Sequence, residues 1–137
     1  MNKKTLLSVL FAVLLFMGLA SSGHGAVSEF IKKEFVNGIG MMTGGVGIEE
    51  REQMKAQADP YSLKLEFAVT SGSYLANIDL AVERADGSEL LRVEGVGPWV
   101  YLALDPGKYR IKAWYKDELK SRTVEVAAGK KTVILYW

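Results

Sequence analysis

Residues 61–70 read YSLKLEFAVT. Tyr61, Leu63, Leu65, Phe67 and Val69 alternate with Ser62, Lys64, Glu66, Ala68 and Thr70. A period of two is the pattern of a strand with one buried face, because successive side chains point to opposite sides of a sheet. The same alternation recurs in short runs to the end of the chain. Ser71-Gly72-Ser73 breaks the first run, and Ile78, Leu80 and Val82 carry the second. Asp86-Gly87 is a tight-turn signal before a third strand over Glu89 to Glu94. Trp99 to Leu104 is the fourth. Asp105-Pro106-Gly107 reads as a turn in which proline presets φ and glycine supplies a positive one. Tyr109, Ile111, Ala113 and Tyr115 carry the fifth strand, and Lys116-Asp117-Glu118 turns the chain. Thr123 to Val126 and Thr132 to Trp137 are the sixth and seventh.

Seven short strands with turn signals every 8–12 residues predict an all-β sandwich. No helical stretch separates the strands, so a parallel α/β fold is excluded. Upstream, Ile48 to Ala58 reads as one short helix. Glu49, Glu50 and Glu52 sit where carboxylates oppose the positive end of the helix dipole, and Asp59-Pro60 stops it. Its apolar stripe is thin (Ile48, Met54, Ala58), so the helix must lean on something else. Residues 26–47 contain Gly38, Gly40, Gly44, Gly45 and Gly47 among apolar residues. That much glycine argues against a long regular element, and we expect an irregular segment packed partly on the domain.

Residues 1–25 have the layout of a secretory signal peptide: Lys3 and Lys4, an apolar run from Leu6 to Ala20, then small and polar residues. The run is shorter than the roughly 18–20 residues a membrane-spanning helix needs. The expected organisation is therefore a signal peptide over 1–25, a glycine-rich segment with the short helix over 26–59, and the sandwich over 60–137. The expected location is periplasmic or secreted, with no integral membrane segment once the signal is removed. Loss of Lys3 and Lys4 takes the formal charge from +1 to −1.

Composition excludes more functions than it suggests. The chain has 137 residues, no cysteine and one histidine, His24, beside the expected cleavage site. Disulfides, thiolate metal sites, His-based zinc sites and Ser-His-Asp catalysis are thus removed together. The near balance of 17 basic and 16 acidic residues leaves no electrostatic footprint for nucleic acid.

Residues 104–115 read LDPGKYRIKAWY. They resemble the L-x-P-G-x-Y-x-[VI]-x-A segment of carboxypeptidase regulatory-like (transthyretin-like) domains. Val124, Val126, Gly129, Val133 and Leu135 continue the likeness, which runs over about Tyr61 to Trp137. Gly44-Gly45-Val46-Gly47 followed by Glu50-Arg51 resembles a segment that precedes the sandwich in small exported bacterial proteins of that name. The resemblance implies a seven-stranded prealbumin-like sandwich in the periplasm. It implies no activity here, because the hydrolases carrying related domains need histidines and this chain has none after residue 24.

Other constellations favour structural roles. The glycine-rich stretches lack the Gly-Lys-Ser/Thr and the strand-helix-strand context of nucleotide loops. Asp79, Asp86, Asp105, Asp117 and Glu118 lie in or near turns without calcium-loop spacing. No cofactor or metal is expected, and no catalytic residue is nominated. Trp99, Tyr101 and Trp114 are the candidate binding surface. Their register sets them opposite Val100, Leu102 and Ile111, so either they face outward or the N-terminal segment or helix covers them. The expected function is a non-enzymatic module that binds another cell-envelope protein. One alternative is a saccharide-binding sandwich, with exposed aromatics stacking on sugar rings. Another is a small outer-membrane β-barrel, suggested by the alternating C-terminus that ends in Trp137.

Overall fold

The computed structural model describes residues 30–137; the signal-peptide expectation and residues 26–29 lie outside them. In chain order the elements are β1 (Lys32–Val36), β2 (Ile39–Gly44), α1 (Ile48–Ala56), β3 (Leu63–Ala68), β4 (Ile78–Arg84), β5 (Glu89–Val96), β6 (Trp99–Leu102), β7 (Gly107–Tyr115), β8 (Glu118–Val126) and β9 (Lys131–Tyr136). They form two sheets, ordered β1-β2-β6-β3-β9 and β5-β4-β7-β8. Neighbours are antiparallel except β3 and β9, which run parallel. This is an all-β sandwich. Neither sheet closes on itself, so the barrel alternative does not hold for the described residues.

The seven expected strands are β3 to β9, and two more raise the count among the described residues to nine. The glycine-rich segment is not irregular: it folds into the β1–β2 hairpin and extends the first sheet through β6. Asn37 and Gly38 make this possible. Both have positive φ, 51° and 80°, the twist a two-residue hairpin turn needs and one that Asn and Gly adopt at least cost. The sixth strand also begins earlier than expected. β8 starts at Glu118, directly after a tight turn at Lys116 and Asp117, both with positive φ. Residues 118–123 are edge residues, polar apart from the exposed Leu119 and without alternation, so periodicity alone misses them.

Between the sheets lies the main core. Leu63, Leu65 and Phe67 of β3 pack with Leu80 and Val82 of β4 and Ile111 of β7. β6 is buried on both faces along its whole length, as is the Met41–Gly44 half of β2 that pairs with it. Val100 and Leu102 point into the main core, while Trp99 and Tyr101 point away from it. A second cluster forms there from Trp99, Tyr101, Met42, Ile31 and Met54 of α1. Met54 is the side chain by which the thin helix docks, and its complete burial contributes about 1.5–3 kcal/mol. The helix ends at Ala56, two residues before the expected stop.

The Asp105-Pro106-Gly107 turn is held differently from expectation. Gly107 does not have a positive φ; it opens β7. The Tyr109 hydroxyl donates to the Asp105 carbonyl at 2.7 Å and ties the turn to the strand. Tyr109→Phe should therefore cost about 1 kcal/mol, the usual net worth of one hydrogen bond, read as a lower urea midpoint with an unchanged slope. An unchanged midpoint would mean that the hydroxyl does not hold the turn.

Candidate functional site

One end of the sandwich gathers the β2–α1 loop, the β3–β4 connection, the β5–β6 corner and the β7–β8 turn. Loops at the end of a rigid sandwich are where such folds place binding residues. Two cavities open there. One of about 440 Å³ is bordered by Phe30, Thr43, Gly44, Val46, Glu50 and Gly97. The other, about 800 Å³ and more polar, is bordered by Asp79, Arg92, Glu94, Trp114 and Asp117. They share Ala76, Asn77 and Gly95 as a common wall. Asp79 fixes this wall by accepting the Gly95 amide at 3.0 Å.

The β2–α1 loop is the part of this end built with most care. Thr43 bridges to the β5–β6 corner: its hydroxyl donates to the Trp99 carbonyl at 3.1 Å and accepts the Gly97 amide at 2.9 Å. Gly45 has φ 94° and lies against Trp99, where a Cβ would sit 3.0 Å from the indole's Cβ and Cγ. Arg51 donates from one nitrogen to the carbonyls of Gly45 (2.9 Å) and Val46 (3.1 Å). Its guanidinium also lies 5.0 Å from the Tyr74 ring centre. Glu50 Oε2 accepts the Gly47 amide at 2.9 Å, satisfying a donor at the helix start. Gly45, Gly47, Glu50 and Arg51 of that pattern thus act together to hold the loop and the start of the helix. What that loop presents to solvent is apolar: Val46 is 67% exposed, Ile48 72%, and Phe30, across the cavity, 77%.

The three aromatics singled out in the sequence separate in space. Trp99 and Tyr101 are not a free surface, being only 3% and 5% exposed. α1 covers them because β6 has a neighbour on each side and its outer face would otherwise leave two large rings in water. Lys64 seals the cluster, its Nζ 3.2 Å from the Trp99 ring centre and 2.9 Å from Glu66. Burial, and then the Glu66 charge, pushes the Tyr101 phenol above its ordinary pKa. Trp114 lies on the opposite sheet, half-buried. The Arg92 guanidinium stands 5.1 Å over its ring and is itself paired to Glu89 at 3.1 Å. A sugar stacking on Trp114 would have to displace Arg92.

Among the described residues no three acidic or histidine side chains converge as metal ligands do. Asp79 and Asp86 are occupied with local backbone amides, at Gly95 and Ser88. The exposed Val46 loop is what sequence reading missed. Its signal was the glycine cluster itself, taken there as irregular chain. No described helix is long and apolar enough to cross a membrane. No protein-family model matches the chain, and no curated protein matches it.

Proposed function

We propose that this chain is a non-enzymatic binding module of the bacterial cell envelope, exported by residues 1–25 and working in the periplasm or outside the cell. On this reading it is a carboxypeptidase regulatory-like sandwich that docks another envelope protein through the end bearing the Val46 loop. The observation that carries the reading is a loop held by Thr43, Glu50 and Arg51 that nonetheless turns Val46 to solvent beside Phe30. Apolar side chains presented from a fixed backbone around a cavity are the marks of a contact site, since exposed apolar patches carry a solubility cost and preorganised loops lose little entropy on binding. A protein partner fits better than a saccharide, because two of the three candidate rings are covered and the third lies under Arg92.

The test is site-specific photo-crosslinking in cells, with the photoreactive residue at Val46, at Trp114, or at Phe35, which is exposed but borders neither cavity. We expect one discrete protein adduct from position 46, weaker capture from 114 and none from 35. Equal capture from all three, or none from 46, would sink the docking reading. Glycan-dependent quenching of Trp114 in its place would favour the saccharide alternative.

A further inference from the structure

The two open sheets leave four edge strands among the described residues, β1 and β9 in one, β5 and β8 in the other. An edge presents a row of unpaired backbone groups, and folds commonly guard it with charge, proline or a bulge. Three of the four are guarded. β1 carries Lys32, Lys33 and Glu34, and β8 carries Glu118, Lys120 and Arg122. β5 carries Glu89, Arg92 and Glu94, its pairing with β4 is broken by register shifts, and Asn37 covers its Leu90 carbonyl at 2.8 Å. β9 has none of these devices after Lys131. Residues 132–136 read TVILY and pair with β3 in unbroken register.

The ladder fixes which groups face outward. The Lys131 amide donates to the Ser62 carbonyl at 3.1 Å, the Trp137 amide donates to the Ala68 carbonyl at 3.0 Å, and the Trp137 carbonyl accepts the Thr70 amide at 3.2 Å. Successive residues of a strand turn their backbone groups to alternate sides, so Thr132, Ile134 and Tyr136 turn theirs away from β3. Among the described residues only Arg122 meets this row: its guanidinium, itself exposed, donates to the Ile134 carbonyl at 3.3 Å. Tyr136 is exposed and Ile134 half-buried, while Val133 and Leu135 are buried in the core.

A strand added here must offer outward groups at the same step of two and suit apolar neighbours. A second β9 does both. Placed antiparallel about Ile134, it sets Ile134 opposite its own copy, Thr132 opposite Tyr136 and Val133 opposite Leu135. These are β-branched and aromatic pairs of the kind that stabilise sheets, and no like charges face each other. The same operation about the middle of β1 or β8 sets Glu34 or Arg122 against its own copy, which is unfavourable. We propose that β9 pairs with β9 of a second copy about a two-fold axis at Ile134, joining two five-stranded sheets into one. Each Arg122 must release the Ile134 carbonyl, so the guanidinium opposes the pairing. The contact closes on itself, because both free β9 edges are then used up. The Val46 end is untouched, since β9 lies at the far edge of the sheet from β1 and β2.

The test is sedimentation equilibrium of the chain purified in its exported form, over about 10–500 µM because one strand per copy makes a small interface. Amide NMR spectra are recorded at both ends of that range. We expect the mass to rise from monomer to a plateau at dimer. The amides of Thr132, Ile134 and Tyr136 should shift with concentration more than those of Val133 and Leu135. Ile134→Lys, which sets two ammonium groups together at the axis, should weaken dimerisation at least about fivefold. Arg122→Ala should strengthen it at least about threefold. If the Ile134 variant fails to fold, the Arg122 variant, changed at an exposed residue, still decides. A monomer throughout the range would overturn the proposal and leave the edge to a strand of another protein. So would a dimer whose shifting amides lie at Val46 and Ile48, a mass that climbs past dimer without a plateau, or an Arg122→Ala chain that dimerises no more tightly than the wild type.

Discussion

Trp99→Ala is expected to lower stability by about 3–5 kcal/mol, the range for truncating a large buried aromatic. For a unit of this size that is a fall in Tm of roughly 12–20 °C. Trp99 is the hub of the outer cluster. It packs with Tyr101, whose ring centre is 6.4 Å away, and edge-on with Tyr74 at 6.2 Å. It carries the Lys64 ammonium over its face, and α1 docks beside it through Met54. Removing the indole leaves a cavity under a helix too short and too weakly amphipathic to persist alone. Helix content and near-ultraviolet dichroism should fall with the Tm. A denaturation midpoint within about 0.5 kcal/mol of the wild type is the behaviour of a surface residue and would refute the buried cluster. Trp114→Ala, half-buried on the other sheet, should cost only about 1 kcal/mol.

Gly97→Ala is expected to cost about 3 kcal/mol, at the upper end of ordinary overpacking, because the obstacle is backbone. A Cβ at residue 97 would lie 2.7 Å from the Gly44 carbonyl oxygen and 3.0 Å from its Cα and carbonyl carbon. No side chain can swing aside to relieve this. The strands must part where the β5–β6 corner meets β2, and the Gly97 amide would lose its bond to Thr43. Gly72→Ala separates this clash from simple backbone strain. Gly72 has φ 99° and open space around it, so its variant should lose about 1 kcal/mol. Urea midpoints of the two variants test the prediction, and equal losses would refute the steric reading. Because Gly97 also borders the Val46 cavity, its variant should weaken the position-46 adduct more than Gly72→Ala does.

Much of the sandwich was legible in the chain because one face of most strands is buried and the other is wet. Leu63, Leu65 and Phe67 alternate for that reason, as do Tyr109, Ile111 and Ala113. The pattern is lost where this condition fails. β8 is an edge strand with little buried surface over its first half, so Glu118 to Thr123 show no alternation. β1 is likewise an edge, and its strand character rests on pairing with β2 rather than on a buried face of its own. The Asn37-Gly38 pair was the readable signal for that hairpin, obscured by glycines counted together although they serve different ends. Gly38 makes a turn, Gly45 lies against an indole, and Gly47 gives its amide to Glu50 at the start of the helix.

The candidate site was less legible. The alternation put Trp99 and Tyr101 on the face away from Val100 and Leu102, and that face is the one they occupy. Whether that face meets water is not a property of β6. It depends on α1, some fifty residues earlier, whose single well-buried apolar side chain is Met54. Glu50 shows the same limit. Its place in the first turn marks it as a capping carboxylate, and Oε2 fills that role. That Oε1 is buried with no hydrogen-bond partner among the described residues, while Arg51 bonds the Gly45 carbonyl and Lys32 pairs with Glu34, is decided by the tertiary packing.

By itself, then, the sequence determined the all-β class, seven of the nine strands among the described residues, the short helix and the exclusion of cysteine chemistry, because these depend on local period and on composition. The tertiary structure alone decided which aromatics are covered, that the glycine-rich segment is a sheet-extending hairpin, and that Val46, Phe30 and Glu50 surround one cavity. Those are outcomes of long-range pairing, in which residues fifty positions apart compete to bury the same surface.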